Sequence, residues 1–262
     1  MERPVCPKCG YARQATDATT GNACPRCGVV FAKYAQYLIE RQAGQLPTQQ
    51  QASTTGAEDE GWRHLLLARL FHRPAQAQLS VLMGEALLTL VLVVWGLWFI
   101  AGDWRNGDAG NSLLHGANLA FHEFGHLLFR PLGEWMLFLG GSLFQCLVPV
   151  ILGGAFLLRE GKPYAAAACL WWLGQNFVDL APYIGDARAM DLPLIGEWNE
   201  EMVEFRSERH DWHNLLEPLG LLEWDHGLAA LAHWSGALLM LAAWAWMGWW
   251  LWQCAQLLRE SR

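Results

Sequence analysis

His122-Glu123-Phe124-Gly125-His126 sets two imidazoles four residues apart with a carboxylate beside the first. On a helix, positions i and i+4 share a face, so both rings can reach one ion while Glu123 turns toward a water bound to it. Zinc held by three protein ligands keeps a fourth position for water and lowers its pKa toward 7. Glu123 then suits the role of general base, passing the proton to a leaving amine. A second group of metal ligands stands near the N-terminus, as Cys6-Pro-Lys-Cys9-Gly and Cys24-Pro-Arg-Cys27-Gly. Fourteen residues separate Cys9 from Cys24. Each Cys-x-x-Cys-Gly turn points two thiolates at one ion, and two such turns close a tetrahedral structural zinc site with no open position. A region this short buries little apolar surface, so the metal supplies its folding free energy.

The elements that must position these groups follow from composition. Hydrophobic residues make up 53% of the chain and charged ones 16%, but the first 60 residues are polar and most of the rest is apolar. Residues 79–101 carry one charge, Glu85; 135–158 carry none; 163–185 carry only Asp179; 227–252 carry none. Each is long enough to cross a bilayer core of about 30 Å. Residues 111–129 form a shorter candidate holding the HExxH motif, and their polar side chains require shielding from lipid by neighbouring spans. The expected fold is mainly α: a polytopic bundle of about five spans behind a small four-cysteine zinc module. The expected organisation is a zinc module at 1–37, a flexible linker at 38–60 and an interfacial helix at 61–78. A membrane domain follows at 79–262, with its HExxH core at about 111–190, an acidic loop at 186–226 and a last span at 227–252. Gln-rich 42–60 lacks aromatic residues and reads as linker. In 61–78, Trp62, Leu65, Leu66, Leu70 and Phe71 interleave with Arg63, Arg69 and Arg73, as in an amphipathic helix on a membrane or a basic anchor ahead of a span.

Charge narrows the partners. The formal charge is −7, and residues 186–225 hold eleven acids against three Arg. With no basic stripe to neutralise phosphates, nucleic acid is not an expected partner. The first 30 residues contain four Cys and no apolar signal core, and such thiols hold metal in a reducing compartment. Arg63, Arg69 and Arg73 favour the same side by the positive-inside rule. A bacterial inner membrane with the N-terminal module in the cytoplasm fits both. Arg130 and Arg188 then fall inside, and Arg159, Lys162, Arg259 and Arg262 outside.

The third ligand is sought between Gln175 and Asp186. Asp179 and Asp186 are seven residues apart, about 10 Å along a helix, so one of the two serves, not both. His115, seven before His122, lies on the same face and either lines the cleft or makes a helix-end hydrogen bond. Pro182 ends or kinks its span. His210-Asp211-Trp212-His213 and Asp225-His226 could supply a ligand or a gate, although a solvated loop is the plainer reading. His233 reads as a packed, hydrogen-bonded residue, and Trp244–Trp252 as an interfacial belt.

Two resemblances follow from these motifs. The paired cysteine turns resemble the zinc-ribbon family, with Val29–Tyr34 in the place of its closing strand, which implies a module that recruits a cytoplasmic protein partner or regulates. Residues 112–190 resemble the site-2 protease family of intramembrane zinc metalloproteases, in HExxH, in Gly141-Ser142-Leu143-Phe144-Gln145 and in the order Asn176, Pro182, Asp186. That resemblance implies cleavage of membrane protein substrates, zinc on His122, His126 and an Asp, and Gln145 and Asn176 beside the cleft. Asp186 follows the family's motif order, while Asp179 stands inside the apolar run. Ser142 and Gln145 replace the family's Pro and Asn, and Ala187 its Gly. A non-catalytic membrane adaptor, or a metal or proton transporter using the buried His and Asp, are the alternatives.

Overall fold

The computed structural model describes residues 5–12, 14, 17, 22–42, 67–194 and 205–261. They belong to two compact units, Met1–Gly61 and Trp62–Arg262. Residues 43–60 of the expected linker lie outside the described residues, as do Trp62, Arg63, Leu65, Leu66 and 195–204 of the acidic loop.

In the first unit both cysteine turns close alike. Gly10 N–H donates to Cys6 O at 2.9 Å and Gly28 N–H to Cys24 O at 2.8 Å. Both glycines take φ near +70°, where a side chain would be strained. Antiparallel bridges Val5–Ala12 and Ala23–Val30 flank them. The expected closing strand at Val29–Tyr34 does not form. After the bridge at Val30 the chain enters helix α1, Phe31–Gln42. Phe31, Tyr34, Ala35 and Leu38 repeat at helical spacing, and no β-branched residue follows Val30 before Ile39.

The second unit is mainly helical, with α2 (Leu79–Ala101), α3 (Leu113–Phe129), α4 (Glu134–Leu158), α5 (Pro163–Gly185), α6 (Asp211–Leu216) and α7 (Asp225–Glu260). Among the described residues, three helical stretches are long and apolar enough to cross a membrane: Leu79–Ala101, Glu134–Leu158 and Leu222–Glu260. α3 has 17 residues, about 26 Å of helix, which is less than a bilayer core. Of the expected interfacial helix, 67–70 form one helical turn, and the chain is irregular from 72 to 78. This anchor packs on α7: Leu70 O accepts from Trp246 Nε1 at 3.0 Å, and the Phe71 ring meets Trp249 edge-on at 5.5 Å.

The helix shielded by its neighbours is α5 rather than α3. Sixteen of the 23 residues of α5 are buried, so it touches α3, α4 and α7 instead of solvent or lipid. α3 is peripheral. Its Phe124, Leu127 and Leu128 are exposed, while Asn118 and Gly125 are buried on the opposite face. Spacings of four and seven explain the split, because they gather His115, Asn118, His122 and His126 on the inward side. Polar groups inside the bundle are answered by neighbours. The lone acid of α2, Glu85, accepts from Trp250 Nε1 at 3.1 Å. The Trp244–Trp252 cluster is therefore only partly an outward belt: Trp244, Trp246 and Trp250 pack on the core, and Trp252 is exposed. His233 is buried and bonded to Ile100 O at 3.3 Å, as expected. Arg188, after α5, grips the buried Asp225 carboxylate with two bonds of 2.7 and 2.8 Å.

Two glycine crossings set the helix spacing. A Cβ on Gly125 would stand 2.2 Å from Gly140 O, and one on Gly140 would stand 2.7 Å from Gly125 O, so α3 and α4 meet backbone to backbone. Gly174 and Gly236 do the same for α5 and α7. Small residues at crossings give membrane helices close packing, their main source of association. Gly125→Ala should cost about 1–3 kcal/mol through overpacking, read as a lower midpoint of thermal unfolding in detergent. Gly84→Ala, where nothing lies within 4 Å, should leave the midpoint unchanged.

Candidate metal centre

Two groups of ligating atoms converge, one in each unit. In the first, Cys6 Sγ lies 3.9 Å from Cys27 Sγ, and Cys9 Sγ lies 3.8 Å from Cys24 Sγ. Zn–S bonds of ~2.3 Å in a tetrahedron give edges of about 3.8 Å. The four-cysteine cluster therefore has the dimensions of a metal site such as zinc. Burial opposes ionisation of Cys6, but backbone N–H groups of Cys9 and Lys8 and the neighbouring thiols outweigh it and bring the pKa to about 6. That is the thiolate form a metal needs.

In the second unit, α3 presents His122 and His126 on its inward face, and Asp211 comes from the first turn of α6. His122 Nε2 is 2.9 Å and His126 Nε2 3.2 Å from the same oxygen, Asp211 Oδ2. One ligand atom from each of the three residues lies within 4.8 Å of the others. A tetrahedral zinc with bonds of ~2.0–2.1 Å would set such atoms about 3.3 Å apart.

The far side of each ring decides what the near side offers. His126 Nδ1 lies 2.7 Å from Leu137 O, which only accepts, so Nδ1 carries the proton. His122 is fixed by a longer chain. Asn176 Nδ2 donates to Trp172 O at 3.0 Å, which leaves Asn176 Oδ1 to accept from Gln145 Nε2 at 3.1 Å. Gln145 Oε1 then faces His122 Nδ1 at 2.7 Å, and that nitrogen must donate. Both neutral rings therefore aim an Nε2 lone pair at a carboxylate oxygen. Three acceptors at 3 Å repel unless a proton sits on each Nε2 or one cation lies among them. Protonating both would put two imidazolium rings 4.8 Å apart, centre to centre, in a partly buried site. A single cation satisfies all three at once. Second-partner anchoring of both rings is the usual arrangement around metal-bound histidine.

Asp211 is held firmly. His213 donates Nδ1–H to Ala187 O at 2.9 Å, and Asn214 Nδ2 donates to Ser207 O at 2.7 Å and His210 O at 2.9 Å. Leu215 and Leu216 are buried, and α6 packs on α4. Burial raises the Asp211 carboxyl, but contact with His122 and His126 outweighs it and holds the group below the ordinary aspartate range.

Neither Asp179 nor Asp186 joins the two imidazoles. Asp179 has both oxygens engaged, by His115 Nδ1 and by Asn118 Nδ2, each at 3.0 Å. Its burial is explained by that network and needs no ion. Asp186 ends α5, accepting from Asp191 N at 2.8 Å and Leu192 N at 3.0 Å, a turn-forming role. The carboxylate in their place is Asp211, 89 residues beyond His122. The density of His and Asp in His210-Asp211-Trp212-His213 was the only sequence signal for it. Pro182 neither stops nor precedes the end of its helix, since α5 runs on to Gly185. His115 does make a hydrogen bond, but to Asp179 across the cleft rather than at the helix end. Gln145 and Asn176 sit behind His122 rather than at the mouth of the cleft.

A cavity of about 360 Å³ opens in front of this group, lined among others by Glu123, His126, Gln145, Asp179, Tyr183 and Trp212. Gly141 forms part of its wall: a Cβ there would come within 2.6 Å of both Nε2 atoms. The space beside the two rings exists because position 141 has no side chain. No family model, characterised protein or solved structure matches this chain.

Gln145→Leu should raise the zinc dissociation constant of this centre about 10–100-fold, the usual size of a lost outer partner. Gln145→Glu, which still accepts from His122 Nδ1, should raise it less. Chelator competition on the full chain reads both, with the four-cysteine site as internal reference.

Proposed function

We propose that the protein is an intramembrane zinc metalloendopeptidase, with a catalytic metal on His122, His126 and Asp211 and a structural one on Cys6, Cys9, Cys24 and Cys27. The observation that carries this reading is the convergence of two Nδ1-anchored imidazoles on one carboxylate oxygen, beside a cavity that Glu123 also lines. Zinc in that position would supply a water of pKa near 7 and polarise a peptide carbonyl.

The chain's own residues do the rest. Gln145 and Leu137 O hold the rings in the ligating tautomer. Glu123, adjacent to His122 in sequence, takes a proton from the attacking water and delivers it to the leaving amine nitrogen. Gly141 leaves room for the scissile group. Exposed apolar residues on α2, α4 and α7 suit a lipid surround, and the HExxH helix α3 sits at its edge. In this reading α3 and α5 complete a five-helix membrane bundle of the site-2 protease type, although Asp211 reaches the site from outside the long helices. The substrates are membrane proteins, and the zinc ribbon faces the cytoplasm, where it recruits a protein partner.

The test is zinc content with activity. Purified full-length protein should hold two zinc ions, falling to one in His122→Ala, His126→Ala or Asp211→Ala. Glu123→Gln should keep both and lose cleavage of fluorescent β-casein by a factor of at least about 100, the range of general-base removal. Two retained zinc ions with cleavage unaffected by Glu123→Gln would end the peptidase reading. Zinc retained with no cleavage by any form would favour the adaptor.

A further inference from the structure

The metal centre does not use the most completely buried acid of the cavity wall. Asp179 is 3% exposed in the middle of the bundle, where a lone carboxylate is costly. Its partners are Asn118 on one oxygen and His115 on the other. Asn118 is fixed in turn: its Oδ1 accepts from Trp172 Nε1 at 2.9 Å, and its Nδ2 also reaches Gln175 Oε1 at 2.7 Å. Asp179 is therefore a rigid acceptor, and its task is to hold His115.

The His115 ring lies parallel to Tyr183, with centroids 6.1 Å apart and planes within 6°. With Nδ1 committed to Asp179, Nε2 is the free polar atom of the ring. The side chain keeps 17% exposure, and its outlet is the cavity that holds His122, His126 and Asp211. An imidazole oriented by a buried carboxylate, with its second nitrogen open to a cleft, is the arrangement that presents one hydrogen-bonding atom at a fixed place. Structural histidines elsewhere in this chain do not share it. His233 is buried with no opening to the metal cavity, and His213 ties two backbone segments together.

Distance assigns the role. His115 is seven residues before His122 on one face of α3, about 10 Å along the axis. That is too far for Nε2 to act on a bond held opposite the metal ligands. It equals about three residues of an extended peptide at ~3.4 Å each. We propose that His115, held by Asp179 and Tyr183, is a substrate-positioning residue that hydrogen-bonds through Nε2 to the backbone of a bound peptide. The contact falls about three residues from the bond presented to His122, His126 and Asp211. Peptide backbone offers both N–H and C=O, so the contact favours an extended segment without dictating its side chains. A helical segment keeps those groups bonded internally and cannot make it. The role rests on the peptidase reading for its substrate class, but its test is binding.

The experiment uses full-length, zinc-loaded Glu123→Gln protein in detergent and fluorescein-labelled β-casein, an unfolded polypeptide, with affinity read by fluorescence anisotropy. Adding His115→Phe keeps a ring against Tyr183 and removes the hydrogen bond. The dissociation constant should rise about tenfold, the size of one such bond, with zinc content unchanged. His115→Gln retains a polar atom and should recover most of the loss. Asp179→Asn, which weakens the hold on the ring, should shift affinity in the same direction by less, and it provides a check should His115→Phe fold poorly. In the parent enzyme, His115→Phe should raise KM with kcat nearly unchanged. Equal affinity in Glu123→Gln and its His115→Phe form overturns the positioning role and leaves the peptidase reading standing. Weakened binding with no rescue by Gln, or with loss of zinc, marks His115 as purely structural and also overturns it. Binding that depends on His115, in a protein whose Glu123 form cuts nothing, sinks the peptidase reading alone. No binding by any form sinks both.

Discussion

The second unit is organised around one electrostatic demand: two imidazoles, each with its proton pinned on the outer nitrogen, aim lone pairs at a single carboxylate oxygen. That arrangement is unfavourable until a positive charge joins it, and much of the surrounding polar structure serves to enforce it. Leu137 O pins one ring directly. The other is pinned through Gln145 and Asn176 to a backbone carbonyl of α5, so three helices fix the tautomer of one histidine. In a low-dielectric interior a network of this kind is worth having only when every member is satisfied. The connected members of this one are.

Glycine contacts make the network possible. α3 and α4 approach closely enough for His122 and Gln145 to bond because positions 125 and 140 carry no side chain, and the neighbouring Gly141 opens the cavity wall. α5, closed in on most sides, contributes the polar residues that none of the lipid-facing helices could carry at the same cost. It is less apolar than its neighbours for that reason. Its polarity is also why it falls short of the hydropathy of a membrane span.

Spacing made some parts of this structure readable in the sequence. The i, i+4 imidazoles, the paired cysteine turns and the apolar runs are local patterns, and local geometry follows from them. The helix at 31–42 was equally available in the period of Phe31, Tyr34, Ala35 and Leu38, but was overridden by the expectation of a closing strand. The third carboxylate was of another kind. Asp179 and Asp186 attracted attention because buried acids need a reason, and each has one: Asp179 orients His115, and Asp186 shapes the turn beyond α5. Asp211 stood in an acid-rich stretch with no periodicity, and only tertiary packing through His213, Asn214 and the buried leucines of α6 distinguishes it from ten other acids there.

The arrival of Asp211 from so far along the chain has a consequence for biosynthesis. The ribosome makes His122 and His126 first and the aspartate 89 residues after His122, a delay of about 4–18 s at ~5–20 residues per second. During that interval α3, with two imidazoles and Glu123, lacks the anion that completes its polar face. Gln145 and Asn176 emerge within the same interval and ahead of Asp211, so the rings can be oriented before their last partner is translated. Assembly of the centre is therefore ordered by the sequence itself, with the carboxylate as its final piece.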